Sequence, residues 1–179
     1  MGRARSDNSW QARLRRLAEN VETLAKRDEL ALSQAREILE QRHVAAHELH
    51  SICVQFVASI NELLSQPLVQ LAPAELAPGG FLEDGNNLFQ INTSGRILQV
   101  EFKATAELIS TEEFRVPYTL EGTVRAFNQS LLDKDLIEEQ LLFYTLEDHR
   151  KMWRFFDART YRTGPFDREY LISLMENII

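Results

Sequence analysis

Residues 9–66 read SWQARLRRLAENVETLAKRDELALSQAREILEQRHVAAHELHSICVQFVASINELLSQ, a run of 58 residues with a helical pattern. It holds neither glycine nor proline, and apolar residues recur along it at alternating spacings of four and three. Trp10, Leu14, Leu17, Val21 and Leu24 open the series. Ala31, Ala35 and Ile38 continue it, followed by Ala45, Leu49, Ile52, Phe56 and Leu63. Asp28, Arg42 and Ser59 are the polar interruptions. A 3.5-residue period is that of a coiled-coil seam. As one helix the stretch would run about 85 Å at 1.5 Å per residue, longer than a compact domain of this size. The expectation is either a helical hairpin folding near Lys26–Glu29 or a long helix that meets another chain. The apolar stripe is narrow up to Ile38 and widens from Leu49 to Leu64, so the second half is expected to pack on the rest of the protein. Ser6, Asp7 and Ser9 are candidate caps at its start.

Around this helix the chain has ordinary globular composition: 179 residues, 44% hydrophobic and 26% charged. The single cysteine, Cys53, excludes an internal disulfide framework and fits a reducing, cytoplasmic setting. No apolar run approaches the ~20 residues that span a bilayer, and the basic N-terminus lacks the apolar block of a secretory signal. Met1-Gly2 with Ser6 meets the short, loose myristoylation pattern. Charge is unevenly placed. Residues 1–27 carry seven Lys/Arg against three acids, residues 28–148 seven against twenty, and residues 149–168 six against two. An acidic body with two basic patches points toward charged partners more than toward nucleic acid.

After Pro67 a linker over 67–86 closes in Gly79-Gly80, and the period switches to two. Asn87–Thr93 and Arg96–Leu108 read as strands joined at Ser94-Gly95. Phe114–Phe127 reads as a third strand, edge or bulged because of Pro117 and Gly122. Leu131–Glu138 reads as a short helix, with a single helix over 130–150 as the alternative. Gln140–Leu146 and Met152–Arg162 then form a hairpin across Glu147–Lys151. Asp167 caps a last helix, with Phe166 and Leu171 as its staple. The expected class is α+β: a helical segment 1–66, the linker 67–86, and an antiparallel sheet of about five strands with a C-terminal helix over 87–179, in α-βββ-α-ββ-α order. That order, over roughly 50–179, resembles the type III secretion chaperone and YbjN-like fold. The resemblance implies a small protein that binds other proteins, often as a dimer.

Four constellations carry candidate chemistry. Trp10, Leu14, Leu17, Val21 and Leu24 would form a seam against a partner helix or a second copy, with Arg13, Arg15 and Arg16 steering an acidic surface. His43, His47 and His50 share one helical side at metal-ligand spacing, although they fall opposite the seam and so read as an outward row. Asp84 with Glu101 and Lys103 has the order of the D…ExK metal-dependent nuclease pattern, in which two carboxylates hold Mg²⁺ and the lysine orients water. Arg150, Lys151, Arg154, Arg159 and Arg162 interleave with aromatics, as in a base-stacking, phosphate-tracking face. No nucleophile elbow or glycine-rich phosphate loop is present, and no cofactor is called for. The function expected is a non-enzymatic interaction or adaptor protein, with a nucleic-acid binder or nuclease as the alternative.

Overall fold

The computed structural model describes residues 4–112, 114–129, 137–147 and 149–179, with side chains from Trp10 onward. One helix, α1, runs Ala4–Leu63. Lys26–Glu29 are helical within it, so the hairpin alternative is not the one adopted. Good helix formers surround Asp28, and a single polar residue on the seam supplies no reason to break. Ser6, Asp7 and Ser9 lie inside α1 and are not caps before it.

Among the described residues the sheet has seven antiparallel strands where about five were expected: β1 Gln70–Ala72, β2 Asn87–Thr93, β3 Arg96–Ile109, β4 Tyr118–Asn128, β5 Ile137–Glu147, β6 Arg150–Asp157 and β7 Arg162–Pro165. Their order in the sheet is their order in the chain. Helix α2, Arg168–Glu176, ends the fold. The extra strands are β1, inside the proline-rich 67–86 segment, and β7, where the Met152–Arg162 run turns after Asp157 and returns. The short helix expected at 131–138 falls largely on 130–136, outside the described residues, while Ile137 and Glu138 belong to β5.

The chain forms two compact units, Met1–Glu40 and Gln41–Ile179. In the second, the α1 residues Ala45, Leu49, Cys53 and Phe56 lie in one core cluster with Leu98, Val100 and Phe102 of β3, Trp153 of β6, and Leu171 and Leu174 of α2. Period-two alternation sorts the strands between two faces. Leu142 and Tyr144 of β5 enter this core, whereas Leu141 and Phe143 face the other side with Phe114, Tyr118 and Phe156. The Trp153 indole N–H donates to the Ala45 carbonyl at 2.8 Å, tying helix to sheet. Asn61 turns the chain at the end of α1: its Oδ1 accepts from the amides of Leu68 and Val69. Asp167 caps α2 as expected, accepting from the Tyr170 amide.

Strand β4 lies between β3 and β5, not at an edge. Pro117 precedes it, and the irregularity expected from the sequence appears as register shifts between Ala104 and Ile109 and between Tyr118 and Leu120. Gly122 meets β3 so closely that a Cβ there would stand 2.0 Å from the Glu101 carbonyl oxygen. Only glycine allows that approach.

Candidate interaction surface

Within the first unit the seam residues remain largely in water. Trp10, Leu14, Leu17, Val21 and Leu24 are 53, 53, 58, 57 and 55% exposed. They recur every 3.5 residues on α1, so the spacing places them along one stripe. Arg13, Arg15 and Arg16 are exposed beside them. Trp10, Leu14 and Leu17 with Arg13 and Arg16 border a shallow groove of about 500 Å³. The structure therefore gathers the sequence-read seam and its basic flank on one helix.

The seam's second interruption, Arg42, has a different role. Its side chain is 9% exposed, its Nε donates to Thr119 Oγ1 at 2.7 Å, and its other nitrogens bond Glu83 and the Thr105 carbonyl. Thr105 and Thr119 sit where the β3–β4 and β4–β5 ladders lose register. Arg42 thus gives the Thr105 carbonyl a hydrogen bond where the ladder is irregular, and holds the Thr119 hydroxyl beside it. The sequence shows only a charge interrupting an apolar stripe, and not the partners that charge meets.

The histidines do not form the outward row expected of them. His50 is buried, bonds the Pro73 carbonyl through Nε2 at 2.9 Å, and packs edge-on to Phe89. His43 packs edge-on to Phe81, and His47 is partly buried. The segment 69–89 covers this side of α1, which is why an outward reading from the seam alone fails. Among the described residues no group of three or more His, Cys, Asp or Glu side chains is placed to hold a metal ion. Cys53 is fully buried, and burial pushes its thiol up to about 12. Glu48 and Tyr144 lie near enough for each to shift the other's ionisation, a pair the sequence did not signal. Burial raises both groups, Tyr144 to about 12 with the Glu48 carboxylate adding to the rise.

On the sheet face away from α1, a cleft of about 730 Å³ has Tyr118, Leu141 and Phe143 in its floor and Glu101, Lys103, Glu121 and Arg125 around it. The charges are paired across strands: Lys103 with Glu121 at 3.6 Å, and Arg125 with Glu101 at 3.8 Å and with Glu139. Glu101 also accepts from Asn86 at 2.9 Å. Asp84 is exposed in its turn and borders a neighbouring pocket with Lys103.

The basic residues of 150–162 are divided. Arg154 lies 3.8 Å from Glu147, and Arg159 lies 3.7 Å from Asp157. Arg150, Lys151 and Arg162 are exposed. Of their aromatic neighbours, Trp153 lies in the core, Phe155 stacks on Tyr170 and Phe156 lies in the second cluster, while Tyr161 is exposed. No described helix is long and apolar enough to cross a membrane. No family model, curated protein or solved structure matches the chain.

Proposed function

We propose that the protein is a non-enzymatic interaction protein that binds through the apolar stripe of α1, by self-association or by capture of a partner helix. The observation that carries this reading is the exposure, above half, of Leu14, Leu17, Val21 and Leu24 at coiled-coil spacing. Completing the burial of a half-exposed leucine or valine contributes about 1 kcal/mol. Four such residues contribute about 4 kcal/mol per helix and about 8 kcal/mol per pair. Association itself costs about 4–15 kcal/mol, so the stripe supports reversible rather than permanent pairing. Arg13, Arg15 and Arg16 favour an acidic counterpart. The nucleic-acid alternative has weaker support, because Arg154 and Arg159 each lie within 4 Å of a carboxylate, leaving Arg150, Lys151 and Arg162 as the exposed cations of that face.

Amide hydrogen exchange over residues 10–40, read together with solution mass by light scattering, tests the proposal. The expectation is weak protection in the dilute monomer and strong protection once a partner helix is engaged. Replacing Leu17 and Leu24 by glutamate should abolish that protection and leave exchange in 41–179 unchanged. Strong protection of 10–40 in a chain that stays monomeric would refute it, since the stripe would then be covered by its own chain.

A further inference from the structure

We infer that the counterpart of the α1 stripe is the same stripe of a second copy, laid antiparallel. This rests on the interaction reading above. Three features of residues 10–40 converge on it.

The first is charge. Residues 10–27 carry five Lys/Arg against two acids, a net of +3, and residues 28–40 carry one against four, a net of −3. The helix surface thus changes sign near its middle. An antiparallel pair sets each basic half beside an acidic half, whereas a parallel pair in register sets like against like. The second is size. The large seam residues Trp10, Leu14, Leu17, Val21 and Leu24 occupy the first half, and the small Ala31 and Ala35 open the second, ahead of Ile38. Antiparallel pairing sets Trp10 or Leu17 against Ala35 and Leu14 or Val21 against Ala31, according to register. Parallel pairing crowds Trp10 against its copy and leaves gaps where alanine faces alanine. The third is Asp28, which sits on the seam. In parallel register two Asp28 carboxylates meet at the interface and repel. In the antiparallel pair each faces the other copy's Leu17 or Leu24 layer, next to the cationic half.

Seam layers match when paired residue numbers sum to about 45–52, which centres the pair near residues 22–26. That geometry is measurable. Ala12 and Lys26 are exposed and lie opposite the seam by heptad position, so a nitroxide on a cysteine at either site leaves the interface intact. Cys53 is buried and stays unlabelled. At 1.5 Å per residue the two Ala12→Cys labels of an antiparallel pair are offset by about 30–40 Å along the axis. Those at Lys26→Cys are offset by no more than about 10 Å.

Dipolar electron-spin distances on the full chain, at concentrations where light scattering gives twice the chain mass, decide the matter. A long distance at Ala12→Cys with a short one at Lys26→Cys is the expected result. Short distances at both sites mean a parallel pair and overturn the inference. Long distances at both place the contact elsewhere and overturn it too. A chain that remains monomeric at every concentration also overturns it. If residues 10–40 then exchange freely, pairing with a different helix survives, so this failure is distinct from failure of the interaction reading.

Discussion

Replacing Arg42 by methionine tests whether one buried cation holds the irregular corner of the sheet together. Methionine keeps the length and apolar stem of the side chain and removes all three hydrogen bonds. Thr119 Oγ1 then loses its 2.7 Å donor, the Thr105 carbonyl loses its partner at a break in the ladder, and Glu83 loses its counter-ion. Breaking a buried pair costs about 3–5 kcal/mol. Glu83 is 30% exposed, so water recovers part of its loss and the low end, about 3 kcal/mol, applies here. At an m-value of about 2 kcal/mol/M that moves the urea midpoint down by about 1.5 M. Glu83→Gln removes one charge and leaves Arg42 its bonds to Thr105 and Thr119, so a loss of about 1–2 kcal/mol is expected. Arg42→Met with Glu83→Leu leaves no buried charge but still orphans the Thr105 carbonyl. It should be less destabilised than the two single losses added together. The assay is urea unfolding followed by Trp153 fluorescence, with Trp10→Phe as background. A loss below about 1 kcal/mol for Arg42→Met would refute the reasoning and make the network ornamental.

Two further outcomes follow from other positions. Gly122→Ala places a Cβ 2.0 Å from the Glu101 carbonyl and 2.8 Å from the Phe102 Cα, and β3 and β4 must separate to admit it. A loss of about 3 kcal/mol is expected, lowering the melting temperature by at least about 6 °C, and an unchanged melt would show that the strands are not so close. The Cys53 thiol, raised to about 12 by burial, stays protonated in the folded chain while an unfolded thiol ionises near its ordinary 9.0. The folded chain then holds the extra proton, so its stability is intact below pH 9 and declines from there toward pH 12. Cys53→Ala should flatten that slope by up to about 1.4 kcal/mol per pH unit in denaturation at pH 8–11, and identical slopes would count against the burial.

Several parts of this architecture were legible from residues alone, each where a single period or turn signal dominated. The 4-3 spacing gave α1, Ser94-Gly95 gave the β2–β3 hairpin, and Asp167 gave the cap of α2. Both turn residues indeed take positive φ, 50° at Ser94 and 84° at Gly95. The strands that escaped notice are three and four residues long, and they lie beside Pro73 and around Gly164-Pro165. Local chemistry there signals turns, and only pairing with β2 and β6 makes them strands. Strand β4 looked like an edge because Pro117 and Gly122 are poor ladder residues, yet proline falls just outside it and glycine is what admits its neighbour. Of the candidate surface, the stripe and its basic flank were visible as spacing. The roles of Arg42 and His50 were not, because both depend on segments 23 to 77 residues further along the chain.

The identity of sheet order and chain order shapes how the molecule assembles. Each strand pair from β1 to β7 closes onto its immediate predecessor, so loop-closure entropy is paid in small steps and the sheet grows as a run of local contacts. The helix is the exception. The bond from Trp153 to Ala45 spans 108 residues, and the floor under α1 draws on β2, β3, β4, β5 and β6 together, so it is complete only once the β5–β6 hairpin is in place. Burying Leu49, Cys53 and Phe56 therefore depends on contacts of high sequence separation, which carry a larger loop-closure cost than the strand pairs do.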